Sequence, residues 1–151
     1  MKIQFPNIAI VGTGAMGRGI AQIAAQAGSQ VFLLDANPGA ADAARAALQE
    51  QWNKLVAKGR IEADQATALT ARLHPVKTAA ELAACDLVLE AIVERLDAKQ
   101  ALFVELEGVV RADAVLATNT SSLSVTAIGA SLKHPERLAG FHFFNPVPLM
   151  K

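Results

Sequence analysis

Residues 7–17 read NIAIVGTGAMG, a short apolar run that leads directly into three closely spaced glycines. The apolar part predicts a buried strand over Asn7–Val11, and the apolar side chains after the glycines show helical spacing over Ala15–Ala27. A glycine-rich turn between a strand and a helix is the context in which the pattern G-x-G-x-x-G binds a dinucleotide. The stretch therefore predicts the first βα unit of a Rossmann-type, doubly wound α/β fold.

The three glycines have separate predicted roles in this turn. Gly12 permits the tight turn, Gly14 lets the backbone approach a pyrophosphate, and Gly17 lets the helix pack closely on the strand. Ala15 and Met16 stand in the first turn of the helix, where unpaired amide groups attract an anion. We therefore expect all five residues to contact the cofactor.

Asp35 follows the second predicted strand, Gln30–Leu34, and lies eighteen residues beyond the last glycine of the turn. A carboxylate at this place can accept hydrogen bonds from both hydroxyls of the adenosine ribose, and it repels a 2′-phosphate. Ala36 and Asn37 offer no arginine that would receive such a phosphate. The sequence therefore predicts NAD rather than NADP as the cofactor. The alternative is an acid that only caps the helix beginning at Pro38.

Apolar runs of four to six residues alternate with longer helical patterns along the rest of the chain. This alternation is typical of a mainly parallel sheet with helices on both faces. Helical patterns from Pro38 to Gly59 and over Glu62–Leu73 predict a helical hairpin inserted between strands 2 and 3. The other predicted strands are His74–Lys77, Leu87–Ala91, Val115–Thr118 and Leu138–Phe143, and the other predicted helices cover residues 95–109 and 124–132. Residues 1–151 form one predicted domain.

Charge and cysteine content exclude several classes of partner. Fourteen basic residues balance fourteen acidic ones, so neither nucleic acid nor a membrane is expected as a partner. Cys85 is the only cysteine, which rules out an internal disulfide and a cysteine zinc site. We expect no metal site. The sequence shows no targeting segment and no apolar run of about 18 residues, so the expected location is the cytoplasm.

Two polar motifs follow the fifth and sixth predicted apolar runs. They are Asn119-Thr120-Ser121-Ser122 and His142-Phe143-Phe144-Asn145-Pro146. Oxidation of a secondary alcohol needs a hydride acceptor, a base for the hydroxyl proton and donors that hold the oxygen. His142 is the natural base because imidazole titrates near neutral pH. Ser121 can bond the reacting oxygen, and Asn145 can hold the nicotinamide or the substrate carbonyl.

Each of these residues also has a purely structural alternative. A histidine beside phenylalanines is often a satisfied core residue, and Asn-Pro is a common turn. Taken together with the glycine turn, the two motifs indicate a dehydrogenase.

The sequence resembles the NAD-binding domain of the L-3-hydroxyacyl-CoA dehydrogenase family over nearly its whole length. The segments that carry the resemblance are Gly12–Ala21 (GTGAMGRGIA), Glu90–Leu106 (EAIVERLDAKQALFVEL), Thr118–Ile128 (TNTSSLSVTAI) and Pro135–Lys151 (PERLAGFHFFNPVPLMK). The last two are the most specific. The resemblance implies oxidation of an L-3-hydroxyacyl-CoA to the 3-ketoacyl-CoA, in the β-oxidation of fatty or aromatic acids, with hydride passing to NAD.

The resemblance also implies roles for individual residues. His142 matches the catalytic base, Ser121 the serine that contacts both the substrate oxygen and the cofactor, and Asn145 the active-site asparagine. Glu94 and Lys99 match positions that contact the nicotinamide half of NAD. An alternative for Glu94 is a solvated acid at a helix start, where the helix dipole stabilises it.

A contact with CoA is implied for Lys58, together with Ser121. Lys58 stands near the end of the first helix of the predicted hairpin. Gln51 stands where the family has a serine, which is a departure from the pattern. Lys58 is equally well explained as an ordinary lysine at a helix C-terminus.

The sequence ends at Lys151, nine residues after His142. In the family a glutamate beyond this point orients the histidine, and a helical second domain supplies dimerisation and much of the acyl pocket. We therefore expect a piece of a longer, homodimeric enzyme that lacks its C-terminal domain, binds NADH and turns over poorly alone. Two alternatives remain open: a dehydrogenase of a hydroxy acid not bound to CoA, and a non-catalytic NAD-binding module.

Overall fold

Six parallel strands form the central sheet of the protein. They are β1 Asn7–Val11, β2 Gln30–Leu34, β3 Leu73–Pro75, β4 Leu87–Glu90, β5 Val115–Thr118 and β6 Leu138–Gly140. The strands lie in the order β3-β2-β1-β4-β5-β6, and each neighbouring pair is parallel. This computed structural model describes residues 4–144 and 147–149.

Helices connect the strands in the described part of the chain. The α-helices are α1 Ala15–Gln26, α2 Ala40–Ala57, α3 Ala63–Ala71, α4 Leu96–Val109 and α5 Val125–Gly129. Short 3-10 helices cover Ala79–Leu82, Pro135–Arg137 and Val147–Leu149. The helices α2 and α3 follow one another between β2 and β3 and contact each other.

Side chains of β1 alternate between two hydrophobic cores, as the two-residue period of a strand requires. Ile10 packs into a core that contains Trp52 of α2, and Val11 packs into a second core that contains Phe103 of α4. Burial of each such large side chain stabilises the fold by about 1.5–3 kcal/mol. Helices pack on both faces of the sheet, which explains why the central strands β1, β4 and β5 are mostly apolar and buried. The predicted doubly wound α/β fold is confirmed.

The third strand begins and ends earlier than the sequence predicts. The prediction covers His74–Lys77, whereas the strand covers Leu73–Pro75. The Lys77 amide donates to the Glu81 carboxylate at 2.7 Å, so it is not available to the sheet. Leu73, predicted as the last residue of the second hairpin helix, instead pairs with β2.

The sixth strand is also shorter than predicted. The prediction covers Leu138–Phe143, whereas β6 ends at Gly140. Its partner β5 ends at Thr118, whose carbonyl accepts the Phe141 amide at 2.8 Å. Beyond that bond the segments that follow β5 and β6 leave the sheet, so His142 lies in a loop rather than in a strand.

The remaining boundary differences are small. The strand predicted to end at Ala91 ends at Glu90. The helix predicted over residues 124–132 covers Val125–Gly129. It starts one residue later because Ser124 is its N-cap, whose Oγ accepts the Ala127 amide at 3.1 Å, and it ends before the C-cap Ala130.

The order of the strands determines where a ligand can bind. From β1 the chain proceeds to β2 on one side, and β4 lies on the other side. In a doubly wound sheet the crevice for a ligand opens at this reversal, beyond the carboxyl ends of the strands. The glycine turn follows β1, residues 91–95 follow β4, residues 119–124 follow β5 and residues 141–144 follow β6. All four segments therefore meet at the same edge of the sheet.

Candidate functional site

The glycine turn has space for backbone only at two of its glycines. Gly12 has a φ of 96°, in the left-handed region that favours glycine, and a Cβ there would lie 2.5 Å from the Ala91 carbonyl oxygen. A Cβ at Gly17 would lie 1.7 Å from the Gly12 carbonyl oxygen. Apart from its chain neighbours, none of the residues that the structure describes has an atom within 4 Å of a Cβ at Gly14. Gly14 therefore faces open space, where a ligand can approach the backbone.

The N-terminus of α1 is open to an anion. Gly14 is the N-cap and carries no side chain that could satisfy the first amides, and the first turn contains no acidic residue. Ala15, Met16 and Gly17 form that first turn, and the first amides of a helix have no partner within the helix. The backbone thus presents donors and the positive end of a helix dipole toward the space beside Gly14.

The Asp35 carboxylate is tied to the glycine turn. Its Oδ2 accepts both the amide and the hydroxyl of Thr13, each at 2.8 Å, and its Oδ1 accepts the Asn37 amide at 2.9 Å. Partial burial acts to raise the pKa of Asp35, but the hydrogen bonds from Asn37 and Thr13 outweigh it and lower the pKa. Helix α2 has Gly39 as its N-cap and no side-chain cap. Asp35 is thus an anion beside the turn rather than a helix cap.

A buried ion cluster lies behind the loop that follows β4. Lys99 on α4 is 1% exposed, and its ammonium pairs with Glu90, which is 0% exposed, and with Glu94 at 3.0 Å. The Glu90 carboxylate also accepts the Thr118 hydroxyl at 2.6 Å and the Ile92 amide at 2.7 Å. The resemblance implies that Lys99 contacts the nicotinamide half of NAD, whereas the structure places its side chain in the interior. Glu94, 42% exposed, is the member of the cluster that reaches the cleft.

Glu94 holds the serine loop, residues 119–124. Its Oε2 accepts the Thr120 hydroxyl at 2.8 Å and the Ser122 hydroxyl at 2.9 Å. Partial burial acts to raise the pKa of Glu94, but the hydrogen bonds from Thr120, Lys99 and Ser122 lower it to about 2. Glu94 is therefore ionised throughout the physiological range, and it bonds the residues on both sides of Ser121.

Ser121 and His142 face one cleft. The cleft has a volume of about 440 Å³ and is lined by residues from four segments, including Met16, Glu94, Asn119, Ser121 and His142. Both the serine and the histidine are exposed. The imidazole packs against the Phe144 ring with centroids 4.5 Å apart and planes at 84°. Asn145, the third residue of the predicted trio, lies outside the described residues.

Lys58 lies away from the sheet edge, at the end of α2. It is exposed and forms the C-cap of that helix. Gln51 is exposed seven residues earlier, on the same helix face, because seven residues make about two turns. Lys54, which lies between them, pairs with Glu50 at 3.0 Å on the surface.

Sequence reasoning missed the residues that support the site. Glu90 and Thr118 end β4 and β5, and Thr120 flanks Ser121. A carboxylate that ends a run of buried apolar residues is a signal that could have identified Glu90, because an unpaired buried charge is costly. The bond from the Phe143 amide to the Asn119 side chain, 2.9 Å long, has no comparable signal in the sequence.

The described residues contain no cluster of three or more His, Cys, Asp or Glu side chains that could hold a metal ion. They also contain no helix that is both long and apolar enough to cross a membrane.

A family model gives this geometry its context. The model described as 3-hydroxyacyl-CoA dehydrogenase, NAD binding domain, matches residues 7–151. The chain belongs to this family. NAD is accordingly the cofactor of this 3-hydroxyacyl-CoA dehydrogenase NAD-binding domain.

Individual proteins that are similar to this chain are dehydrogenases with names that match this family. The chain is 46% identical over 151 residues to the 3-hydroxyadipyl-CoA dehydrogenase of Escherichia coli (strain K12), covering 100% of this chain and 32% of that protein. It is 40% identical over 145 residues to the 3-hydroxybutyryl-CoA dehydrogenase of Clostridioides difficile, covering 96% of this chain and 52% of that protein. The crystal structure of 3-hydroxybutyryl-CoA dehydrogenase from Escherichia coli K12 superposes with a TM-score of 0.94 at 45% identity, covering 99% of this chain and 32% of that chain. The chain thus spans only about a third to a half of these relatives.

The residues of this NAD-binding domain fit a dinucleotide. The open space at Gly14 and the free amides of α1 suit a pyrophosphate. The Asp35 carboxylate lies beside the same turn, at the end of β2, and suits the hydroxyls of the adenosine ribose. Glu94, Ser121 and His142 line the cleft that begins at Met16, where the nicotinamide half would follow from the pyrophosphate.

Proposed function

We propose that this chain is the cofactor-binding half of an NAD-dependent L-3-hydroxyacyl-CoA dehydrogenase. The observation that carries the proposal is that Ser121 and His142 line one cleft next to the glycine turn. A hydroxyl, an imidazole and a dinucleotide site in one cleft are the groups that oxidation of a secondary alcohol requires. The family membership adds the CoA ester as the substrate class.

In the proposed reaction the cofactor is the hydride acceptor, and the protein side chains transfer the proton and position the substrate. Bound NAD would supply the acceptor for the hydride that leaves the carbon carrying the hydroxyl group. The His142 imidazole accepts the hydroxyl proton, so that the C–O bond becomes a carbonyl while both electrons of the C–H bond leave. The Ser121 hydroxyl bonds the same oxygen and fixes its position relative to the imidazole. Asn145 is proposed to hold the nicotinamide or the substrate carbonyl.

Glu94 is proposed to contact the nicotinamide half of the cofactor. Its carboxylate is ionised and lines the cleft, and a negative charge favours the positively charged ring of NAD over the neutral reduced ring. Lys99 supports Glu94 from the interior, and its own contribution to the cofactor site is proposed to pass through that ion pair.

The CoA moiety is proposed to contact the exposed face of α2. Lys58 offers an ammonium for a phosphate, and Ser121 contacts the acyl end of the substrate. Gln51 replaces the serine of the family pattern and can still donate a hydrogen bond through its amide.

The parts of the relatives that this chain does not span suggest further proposals. We propose that a second, helical domain supplies dimerisation, much of the acyl pocket and the carboxylate that orients His142. We also propose a homodimeric assembly and a cytoplasmic location, the latter because a lone buried cysteine suits a reducing compartment.

Reduction of acetoacetyl-CoA by NADH tests the proposed function. The full-length protein and its His142→Ala variant are assayed together, and NADH affinity is measured for both by fluorescence titration. We expect His142→Ala to reduce kcat by about a hundredfold or more while NADH still binds, because only proton transfer is lost. A full-length protein no faster than this variant would contradict the catalytic assignment. NADH binding without turnover in both would favour a non-catalytic binding module.

A further inference from the structure

The loop that carries His142 continues the pattern of the sheet beyond its last strand pair. The Phe141 amide donates to the Thr118 carbonyl at 2.8 Å, which is the final backbone bond between β5 and β6. In a parallel ladder the amides that face one neighbour recur every second residue, so the next one is that of Phe143. Strand β5 ends at Thr118, and the serine loop follows. The Phe143 amide therefore has no strand carbonyl of β5 to bond.

The side chain of Asn119 accepts this next amide instead. Its Oδ1 lies 2.9 Å from the Phe143 amide nitrogen, in a bond between residues 24 positions apart. The atom that faces an N–H donor must be the oxygen of the carboxamide, so the orientation of the amide follows from the bond itself. The Asn119 backbone amide donates in turn to the Glu90 carbonyl at 2.9 Å, which ties the acceptor to β4.

His142 is therefore held between two bonded backbone amides. Farther along the chain, Val147 is buried against α1, where a Cβ at Gly19 would lie 2.9 Å from the Val147 Cβ. The bond to Asn119 links residues 141–144 directly to the serine loop, because Asn119 stands two residues before Ser121.

We propose that Asn119 is a positioning residue that sets the separation of the Ser121 hydroxyl and the His142 imidazole. The proposal rests on the proposed function for the meaning of that separation. Displacement of a catalytic group by about 1 Å costs about a hundredfold in rate, so a single bond that joins the two loops has a large effect on turnover. The carboxamide acts through its oxygen and through the backbone, and not on the substrate.

The test compares three substitutions of Asn119 with a matched control in the full-length protein. Asn119→Ala removes the acceptor, Asn119→Gln displaces it by one methylene, and Asn119→Asp keeps an oxygen in the same place. Glu107→Ala is the control, because the Glu107 carboxylate also accepts backbone amides, those of Lys133 and His134, at 3.1 and 2.7 Å. That contact precedes β6 and so lies at the end of the strand remote from the cleft.

We expect Asn119→Ala and Asn119→Gln to lower kcat by about 10- to 100-fold. The affinity for NADH should change by less than about threefold, because the glycine turn is untouched. Asn119→Asp should recover much of kcat. Glu107→Ala should lower thermal stability without lowering kcat. Hydrogen exchange in the peptide that contains Phe143 should become about fivefold faster or more in Asn119→Ala, as the loss of one hydrogen bond predicts.

Several outcomes would overturn the proposal. One is a kcat of Asn119→Ala within about twofold of the parent, less than the loss of one hydrogen bond would produce. Another is an Asn119→Asp variant as slow as Asn119→Ala, which would assign the effect to the amide nitrogen and thus to a direct contact with the substrate. If Asn119→Ala does not fold, Asn119→Gln and Asn119→Asp decide between these outcomes. A parent protein that turns over no faster than His142→Ala would contradict the proposed function. In that case the positioning role is judged by hydrogen exchange alone, and an unchanged exchange rate of the Phe143 peptide in Asn119→Ala would reject it.

Discussion

Lys99 and Glu94 are 3.0 Å apart at the boundary between the protein interior and the cleft. The lysine side chain is buried, while the glutamate is partly exposed and bonds the hydroxyls on both sides of Ser121. The same ammonium pairs with the buried Glu90 carboxylate. One lysine in the core thus supports two carboxylates, one structural and one that faces the proposed cofactor site.

Removal of the Lys99 charge should strongly destabilise the fold. Lys99→Met leaves the Glu90 carboxylate buried without its cation, and breaking a buried pair from one side costs about 3–5 kcal/mol. Chemical denaturation measures this as a fall in the free energy of unfolding. The control is Lys54→Met, which removes a pair with Glu50 in which both side chains are 69% exposed. The control should lose less than about 1 kcal/mol. Equal losses in the two variants would contradict a structural role for the buried cluster.

Glu94 should make stability depend on pH in the acid range. Its pKa is lowered to about 2 from an ordinary value of 4.5. A carboxyl with a lowered folded-state pKa stabilises the fold above its unfolded-state pKa, and this contribution is lost as the pH falls toward the folded-state value. The free energy of unfolding of the parent should therefore fall between pH 4.5 and about 2.

The variant Glu94→Gln should show a smaller fall over the same range, measured by denaturation at a series of pH values. Other acids with lowered pKa values contribute equally to parent and variant, so the difference between the two curves reports Glu94. Glu62→Gln, which removes an exposed acid at the start of α3, is the control and should follow the parent curve. Parallel curves for the parent and Glu94→Gln would show that the Glu94 bonds do not stabilise the fold.

Substitution of Gly12 should affect the stability of the fold, whereas substitution of Gly14 should affect cofactor binding. Gly12→Ala places a methyl group in contact with the Ala91 carbonyl at a positive φ, so we expect a large loss of thermal stability. The methyl group of Gly14→Ala meets no atom within 4 Å among the described residues beyond its chain neighbours, so the fold should be retained. Its methyl group would occupy the space of the pyrophosphate, and NADH affinity should fall about tenfold or more.

Gly108→Ala is the matched control for these variants. Gly108 lies in α4, and a Cβ there also meets no protein atom within 4 Å. The substitution should raise stability by about 0.5–1 kcal/mol and leave NADH affinity unchanged. An unchanged NADH affinity in Gly14→Ala would contradict the assignment of this turn to the pyrophosphate.

Asp35 should control the choice between NADH and NADPH. Replacement by serine in Asp35→Ser removes the carboxylate that repels a 2′-phosphate and also the acceptor for the ribose hydroxyls. We expect the ratio of NADPH to NADH affinity to rise by about tenfold or more, the effect of about 1.4 kcal/mol. Titration with each nucleotide gives the ratio. Asp64→Ser, on the exposed surface of α3, removes the same charge and should leave the ratio unchanged. An unchanged ratio in Asp35→Ser would place cofactor selection elsewhere.

Much of the fold follows from local patterns. The glycine turn after an apolar run predicts β1, α1 and the site between them, because the strand, the G-x-G-x-x-G turn and the helix follow one another directly in the sequence. The strand ends were less predictable. Lys77 continues an extended pattern in the sequence, but its amide bonds Glu81, and the length of β6 depends on where β5 ends. Both depend on the partner of a backbone group, which a single segment does not contain.

The sequence by itself determined the doubly wound fold, the dinucleotide turn and the identity of Ser121 and His142 as candidate groups, because residue type and local spacing define these features. Only the tertiary structure decided how those groups are held. Lys99 proved to be buried between two carboxylates, and Asn119 proved to bond the Phe143 amide. The Asn119 bond joins residues 24 positions apart, so it depends on the order and parallel register of β5 and β6. Lys99 and Glu90 are close in the chain, but their burial depends on the strands that flank β4 in the sheet.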